Sequence, residues 1–206
     1  MCGIVGYTGK RPALDLLLDG LRKLEYRGYD SAGVSLRVDG KIESVRAVGN
    51  LAKLDAAVEA AEASGLLTDA GEAAVSGIGH TRWATHGGVT EQNAHPHFDT
   101  SGTVHIVLNG IVENYVALRE QLREEGCVFT SDTDAEVVAH LVSKHFDGDL
   151  ADAVRGAYAE LRGHYAFVAI AAAQPEVLVA ARKECPLIVG RGDGEQFLAS
   201  AIPAFL

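Results

Sequence analysis

Met1-Cys2-Gly3-Ile4-Val5-Gly6-Tyr7 opens the chain, and its reading decides the rest. A cysteine directly follows the initiator methionine. Its side chain is small enough for a methionine aminopeptidase to remove Met1. Cys2 would then carry a thiol and a free α-amine on one carbon. An α-amine titrates at roughly 8, so near neutral pH it can take a proton from the thiol and later return it to a leaving group. An N-terminal amine serving as base for its own residue's nucleophile is a known arrangement. Gly3 predicts close approach of a substrate to the backbone. Ile4-Val5 predicts the start of a buried strand, a rigid mount for the thiol.

The bulk composition narrows the function classes. The 206 residues are 48% hydrophobic and 22% charged, which suits one packed domain over residues 1–206 and argues against disorder. The net charge is −10, with no basic stretch, so neither nucleic acid nor an anionic membrane is an expected partner. No apolar run is long enough for a transmembrane helix, and the N-terminus lacks the pattern of a signal peptide. Cys2, Cys127 and Cys185 are an odd count without CxxC spacing. That predicts free thiols in a reducing cytoplasm, with Cys127 and Cys185 as inert buried thiols.

Along the chain, Pro12 opens a helical pattern in which Leu14, Leu17, Leu18, Leu21 and Leu24 share one face. The polar stretch Glu25 to Gly33 follows, read as a loop with no packing reason for its elaborate composition. Strands 34–38 and 41–48 joined by Asp39-Gly40 predict a β-hairpin. Residues 50–63 predict an exposed helix and 64–73 a loop. A short strand at 74–79 runs into the polar segment His80 to His97. Another, 104–108, is expected to stop at Asn109-Gly110. Helices are predicted at 115–125, from the capping box Thr133-Asp134-Ala135-Glu136 onward, and at 150–161. Strands are predicted at 164–171, 177–182, 186–190 and 196–200. Near-continuously apolar strands at both ends imply two sheets packed on each other, with helices outside. The last residues, Pro203-Ala204-Phe205-Leu206, form no solvating tail, which suggests a piece of a longer protein.

If Cys2 attacks a carbonyl, the oxyanion needs preorganised donors, and the Asn109 amide with the Gly110 N–H is a candidate pair; the alternative is a plain Asn-Gly turn. Arg82 is the planar donor suited to a substrate carboxylate. Asp134 suits a substrate ammonium, or simply the dipole of its helix. Together these groups match an amino acid with an amide side chain. A competing pattern is a Cys–His dyad using His86 or His97. The His95-Pro96-His97 spacing lacks the i, i+4 geometry of helical zinc sites, so no metal and no cofactor are expected. No P-loop is present.

Six stretches resemble one family: Cys2-Gly3-Ile4-Val5-Gly6, Leu24 to Gly33, His80 to Gly87, Asn93 to His97, Asn109 to Asn114, and Thr133 to Glu136. The chain resembles the N-terminal glutaminase domain of glucosamine-6-phosphate synthases, a branch of the class II glutamine amidotransferases. The Tyr26-Arg27-Gly28-Tyr29-Asp30-Ser31-Ala32-Gly33 stretch separates this branch from its relatives. The resemblance implies an α+β fold, a four-layer αββα sandwich of the N-terminal-nucleophile hydrolase type. It implies Cys2 as nucleophile, Asn109 and Gly110 as oxyanion hole, and Arg82 and Asp134 on the α-carboxylate and α-amine of L-glutamine. Trp83, Thr85 and His86 would line the pocket, and Arg27 and Gly28 would form a structural loop beside the nucleophile. Ammonia would pass to a C-terminal isomerase half, which is missing here, and aminate fructose 6-phosphate. The piece would be a monomer and the full-length enzyme a homodimer or larger. Two other functions stay open: a Cys–His hydrolase, and a glutamine-binding module with little turnover. Lys183-Glu184-Cys185-Pro186 and Ser200-Ala201 depart from the family pattern, and neither is expected to touch the site.

Overall fold

The computed structural model describes residues 2–67, 74–84 and 87–205. Strand β1 (Gly3–Thr8) lies inside a six-stranded sheet because the residues on both of its faces are apolar or small. The sheet runs β3-β2-β4-β1-β10-β9, with β2 Ser31–Val38, β3 Lys41–Val48, β4 Ser76–Arg82, β9 Ile188–Gly192 and β10 Glu195–Ala199. The second sheet runs β5-β6-β7-β8: His97–Phe98, Val104–Val112, Gly163–Ala171 and Gln174–Lys183. The strand pairs within both sheets are antiparallel.

The period of two along each strand sorts its residues between the layers. On β1, Val5 and Tyr7 join the outer core under helices α1 (Ala13–Leu24) and α2 (Leu51–Ala63), whereas Ile4 faces the second sheet. On β6, Val104, Ile106, Leu108 and Val112 pack beneath α3 (Tyr115–Glu124), α4 (Ala135–His145) and α5 (Leu150–Glu160). Val107 meets Ile4, Ile78, Val168 and Ile170 between the sheets. Helices, sheet, sheet and helices thus make four layers, as expected.

Local chemistry explains some of the boundaries. Asp39 and Gly40 both take positive φ, 46° and 77°, as the tight turn between twisted strands demands. Asp149 caps α5 by accepting the N–H groups of Ala151 and Asp152 at 2.7 and 3.0 Å. Helix α2 is exposed on one face, as expected, while Leu51, Leu54, Val58 and Ala61 bury the other in the outer core. The capping box also needs correction. Asp134, not Thr133, holds the position before α4, and its side chain makes no capping bond; Glu136 reaches back to the N–H groups of Thr130 and Ser131 at 2.7 and 2.8 Å rather than to Thr133.

Candidate functional site

Antiparallel pairing puts the start of β1 beside the end of β4, with Gly3 opposite Thr81. Cys2 and Arg82 therefore reach the same end of the sheet. The Trp83 N–H donates to Cys2 Sγ at 3.2 Å. Across the gap between sheets, Asn109 Nδ2 donates to the Cys2 carbonyl oxygen at 3.2 Å. Both lie on a cavity of about 340 Å³, whose wall also includes Arg27, Arg82, Gly110 and Asp134. Burial pushes the Cys2 thiol above its ordinary value, against the lowering effect of the Trp83 N–H and the Arg82 charge.

Asn109-Gly110 is not the end of a strand. Strand β6 continues to Val112, with Asn109 opposite Ala166 and Gly110 opposite Tyr165. Gly110 keeps φ +98°, and a Cβ there would sit 2.1 Å from the His164 carbonyl oxygen. Only glycine lets the strand carry this kink and still pair.

Arg82 is held by its own loop. Its guanidinium donates to the carbonyl oxygens of Gly88 and Gly87 at 3.1 and 3.4 Å. Burial lowers its pKa from the ordinary value, while the acidic groups Cys2, Asp30 and Asp134 nearby oppose that. Asp134, at the start of α4, accepts the buried Val112 N–H at 2.7 Å. That bond ties the helix end to the strand carrying Asn109, so the carboxylate is fixed relative to the oxyanion candidates.

The stretch after α1 does have a packing reason. A Cβ on Gly28 would come within 2.8–3.0 Å of the Arg82–Trp83 peptide. The Asp30 N–H donates to Arg82 O at 3.0 Å, and Asp30 Oδ2 accepts the Ala84 N–H at 2.8 Å. Tyr29 stands edge-on to Trp83 with centroids 5.6 Å apart. The stretch is therefore a strap that sets the Arg82-Trp83-Ala84 backbone, and Ser31 to Gly33 belong to β2 rather than to a loop. Arg27 donates to the Ser200 carbonyl oxygen at 3.2 Å, and Ser200 Oγ accepts the Ile4 N–H at 3.0 Å. The strap thereby reaches β1, the strand that follows Cys2, as well.

Several expectations change. Gly3 serves packing, not substrate approach: a Cβ there would meet Thr81 Oγ1 at 2.6 Å and Leu24 Cβ at 2.9 Å. Cys185 and Pro186 do touch the site, since both line the cavity, and Ser200 touches it through Arg27. Neither Cys127 nor Cys185 is fully buried. Trp83 lines the cavity as expected, while Thr85 and His86 lie outside the described residues. His97 is buried, with Nε2 3.0 Å from Thr133 Oγ1, and is not among the cavity-lining residues. His95, from the same polar stretch, does line it. Thr133 also lines the cavity, and His80 lies against Asn109; a buried histidine or threonine leaves no distinctive spacing that marks such a place. Among the described residues, no group of three or more His, Cys, Asp and Glu side chains could hold a metal ion, and no helix is long and apolar enough to cross a membrane.

The fold is shared with solved amidotransferases. The glutamine phosphoribosylpyrophosphate amidotransferase of B. subtilis, complexed with ADP and GMP, superposes with a TM-score of 0.79 and 26% identity, covering 99% of this chain and 43% of that one. A structure described as the allosteric regulatory enzyme of purine biosynthesis gives 0.80 and 28% identity, with the same coverage. Four-layer α+β architecture of the N-terminal-nucleophile type is thus established. The family model described as a glutamine amidotransferase domain matches residues 80–206. The chain belongs to the glutamine amidotransferase domain family. Glutamine–fructose-6-phosphate aminotransferase (isomerizing) of Symbiobacterium thermophilum is 50% identical over 206 residues, covering 100% of this chain and 32% of the relative. The protein of that name from Thermus thermophilus gives the same figures. The chain spans about a third of the length of these relatives.

Proposed function

We propose that this chain is the glutaminase domain of a glutamine–fructose-6-phosphate aminotransferase, acting in the cytoplasm and hydrolysing the side-chain amide of L-glutamine. The observation that carries the reading is convergence. The Cys2 thiol, the Asn109 amide, the Arg82 guanidinium and the Asp134 carboxylate come from four segments and border one cavity.

Once Met1 is removed, the Cys2 α-amine takes the thiol proton and the thiolate attacks the amide carbon of glutamine. Negative charge develops on the former carbonyl oxygen. Asn109 Nδ2 and the Gly110 N–H are the donors assigned to it, fixed before the reaction by the strand pairing of β6. Collapse of the tetrahedral species breaks the C–N bond, and the α-ammonium returns its proton so that ammonia leaves. Water then hydrolyses the thioester through a second oxyanion, releasing glutamate and the thiol. Arg82 takes the substrate α-carboxylate through its planar fork, and Asp134 takes the α-ammonium. Arg27 and Gly28 act by placing the nucleophile's strand and the Arg82 backbone. The ammonia is proposed to reach a sugar isomerase half of the longer protein and aminate fructose 6-phosphate. Without that half, the chain is proposed to be a monomer.

Cys2→Ala should abolish glutamate release while calorimetry still detects glutamine. Glutamate release undiminished by the substitution would refute the nucleophile assignment.

A further inference from the structure

The Asn109 carboxamide has two faces, and only one orientation suits an oxyanion donor. Its Nδ2 lies 3.2 Å from the Cys2 carbonyl oxygen, an acceptor only, so the NH2 must point that way. Its Oδ1 lies 3.0 Å from His80 Nε2. The same His80 nitrogen lies 3.0 Å from the Leu108 carbonyl oxygen. A nitrogen facing two acceptor oxygens satisfies them only by carrying a proton. His80 Nδ1 is buried and has no hydrogen-bond partner, so it gives no reason for the proton to sit there instead.

We propose that His80, as the neutral Nε2–H tautomer, is a positioning residue that locks the Asn109 amide with its NH2 toward the nucleophile. This rests on the glutaminase reading above. Rotating the amide by half a turn would set its NH2 against the His80 N–H and its oxygen against the Cys2 carbonyl. Both contacts would then be repulsive in a buried site, where unmatched polar groups are most costly. Donation into Oδ1 also polarises the amide and strengthens its N–H groups as donors.

The surroundings keep His80 in the required form. It is fully buried on β4, and its ring stacks on that of His95 at 4.0 Å, tilted by 25°. His95 Nδ1 accepts the Leu108 N–H at 3.3 Å, so the stacked pair clamps Leu108, the residue before Asn109, by both its N–H and its carbonyl. Burial holds the His80 pKa down to about 3, and the Arg82 charge adds to that. A charged ring would bring a cation against both Arg82 and the stacked imidazole.

The test compares glutamine hydrolysis by the wild-type chain, His80→Phe and His80→Gln. Glutamine Nε2 reaches about as far as the histidine Nε2 and can restore the donor; phenylalanine keeps the ring and removes it. Loss of a whole oxyanion donor typically costs about 10²–10³ in kcat, so misorientation in His80→Phe should lower kcat by about 10–100-fold. KM should stay within about threefold, because the lost contact serves the transition state. His80→Gln should recover most of the rate. An unchanged kcat in folded His80→Phe, or an equal loss in His80→Gln and His80→Phe, would overturn the assignment. Nitrogen-15 NMR of the wild-type chain decides the matter independently, even if the variants do not fold. It should show His80 neutral with its proton on Nε2 at pH 7.5, and a proton on Nδ1 would overturn the proposal. A wild-type chain that hydrolyses no glutamine would count against the glutaminase reading, while the NMR result would still judge the hydrogen bond.

Discussion

Acid should unfold this protein in a window set by its buried histidines. Burial keeps His80 and His97 from protonating until about pH 3, and His105 until about pH 4. His95 is also driven well below its ordinary value, by burial and then by its histidine neighbours. In the unfolded chain each imidazole titrates near 6.5. Between those limits the unfolded state binds more protons, so stability is lost as the pH falls. From pH 7 to pH 5, one such histidine removes about 2 kcal/mol. His80, His97 and His105 together remove about 6 kcal/mol, and His95 acts in the same direction. A domain typically has about 5–15 kcal/mol in total, so the loss should be decisive.

Urea unfolding followed by far-ultraviolet circular dichroism at pH 7.0, 6.0, 5.5 and 5.0 measures this directly. His105 offers an internal control remote from the cavity, with Nδ1 2.8 Å from Ser35 Oγ. His105→Asn keeps a polar contact there and removes one titrating group. Between pH 7 and pH 5 it should lose about 2 kcal/mol less stability than the wild type. Glu136 separates in pH. Burial opposes its ionisation, but the His140 ring 3.9 Å away and hydrogen bonds from Thr130 and Ser131 prevail and carry it down to about 2. Its folded pKa is depressed, so its contribution persists until the pH falls below the ordinary carboxylate range. A wild-type stability that stays flat from pH 7 to 5 would refute the histidine argument.

Three other outcomes are expected. Arg82→Lys loses the planar fork and should weaken glutamine binding by about 10-fold or more, read by calorimetry in the Cys2→Ala background. Gly110→Ala places a Cβ 2.1 Å from the His164 oxygen at positive φ; it should cost about 2 kcal/mol or more, seen as a lower urea midpoint, and should lower kcat. Asp149→Ala removes the cap of α5 and should cost about 1 kcal/mol with no change in glutamine kinetics.

Much of the architecture was legible in local pattern. The leucine stripe of α1 and the Asp39-Gly40 hairpin carry their own geometry, and both form where the spacing places them. Other features depend on partners distant in sequence. Asn109-Gly110 reads locally as a turn, yet pairing with β7 holds it in a strand. Strand β5 has two residues, too few to show a period. The Glu25–Gly33 stretch looks like an ornate loop until the Arg82–Trp83 peptide is seen lying on Gly28. Cys185 sits next to apolar Pro186 and looked inert; only the fold brings it over Gly110, where a Cβ would lie 3.0 Å from its sulfur. Cys2, Asn109, Gly110, Arg82 and Asp134, which border one cavity, were readable because the roles proposed for them demand particular residue types. The histidines that support them were not, because their role lies in hydrogen bonds between segments.

The measurement that tests the central claim most directly is an intact mass of the purified chain before and after a glutamine-mimicking diazoketone, with peptide mapping. Mapping is essential because Cys2 and Cys185 line the same cavity. The account predicts a chain lacking Met1 that gains one adduct, on Cys2, with glutamine protecting against it. An adduct on Cys2 with Met1 still attached would contradict the α-amine mechanism, and an adduct on Cys185 alone would contradict Cys2 as the nucleophile.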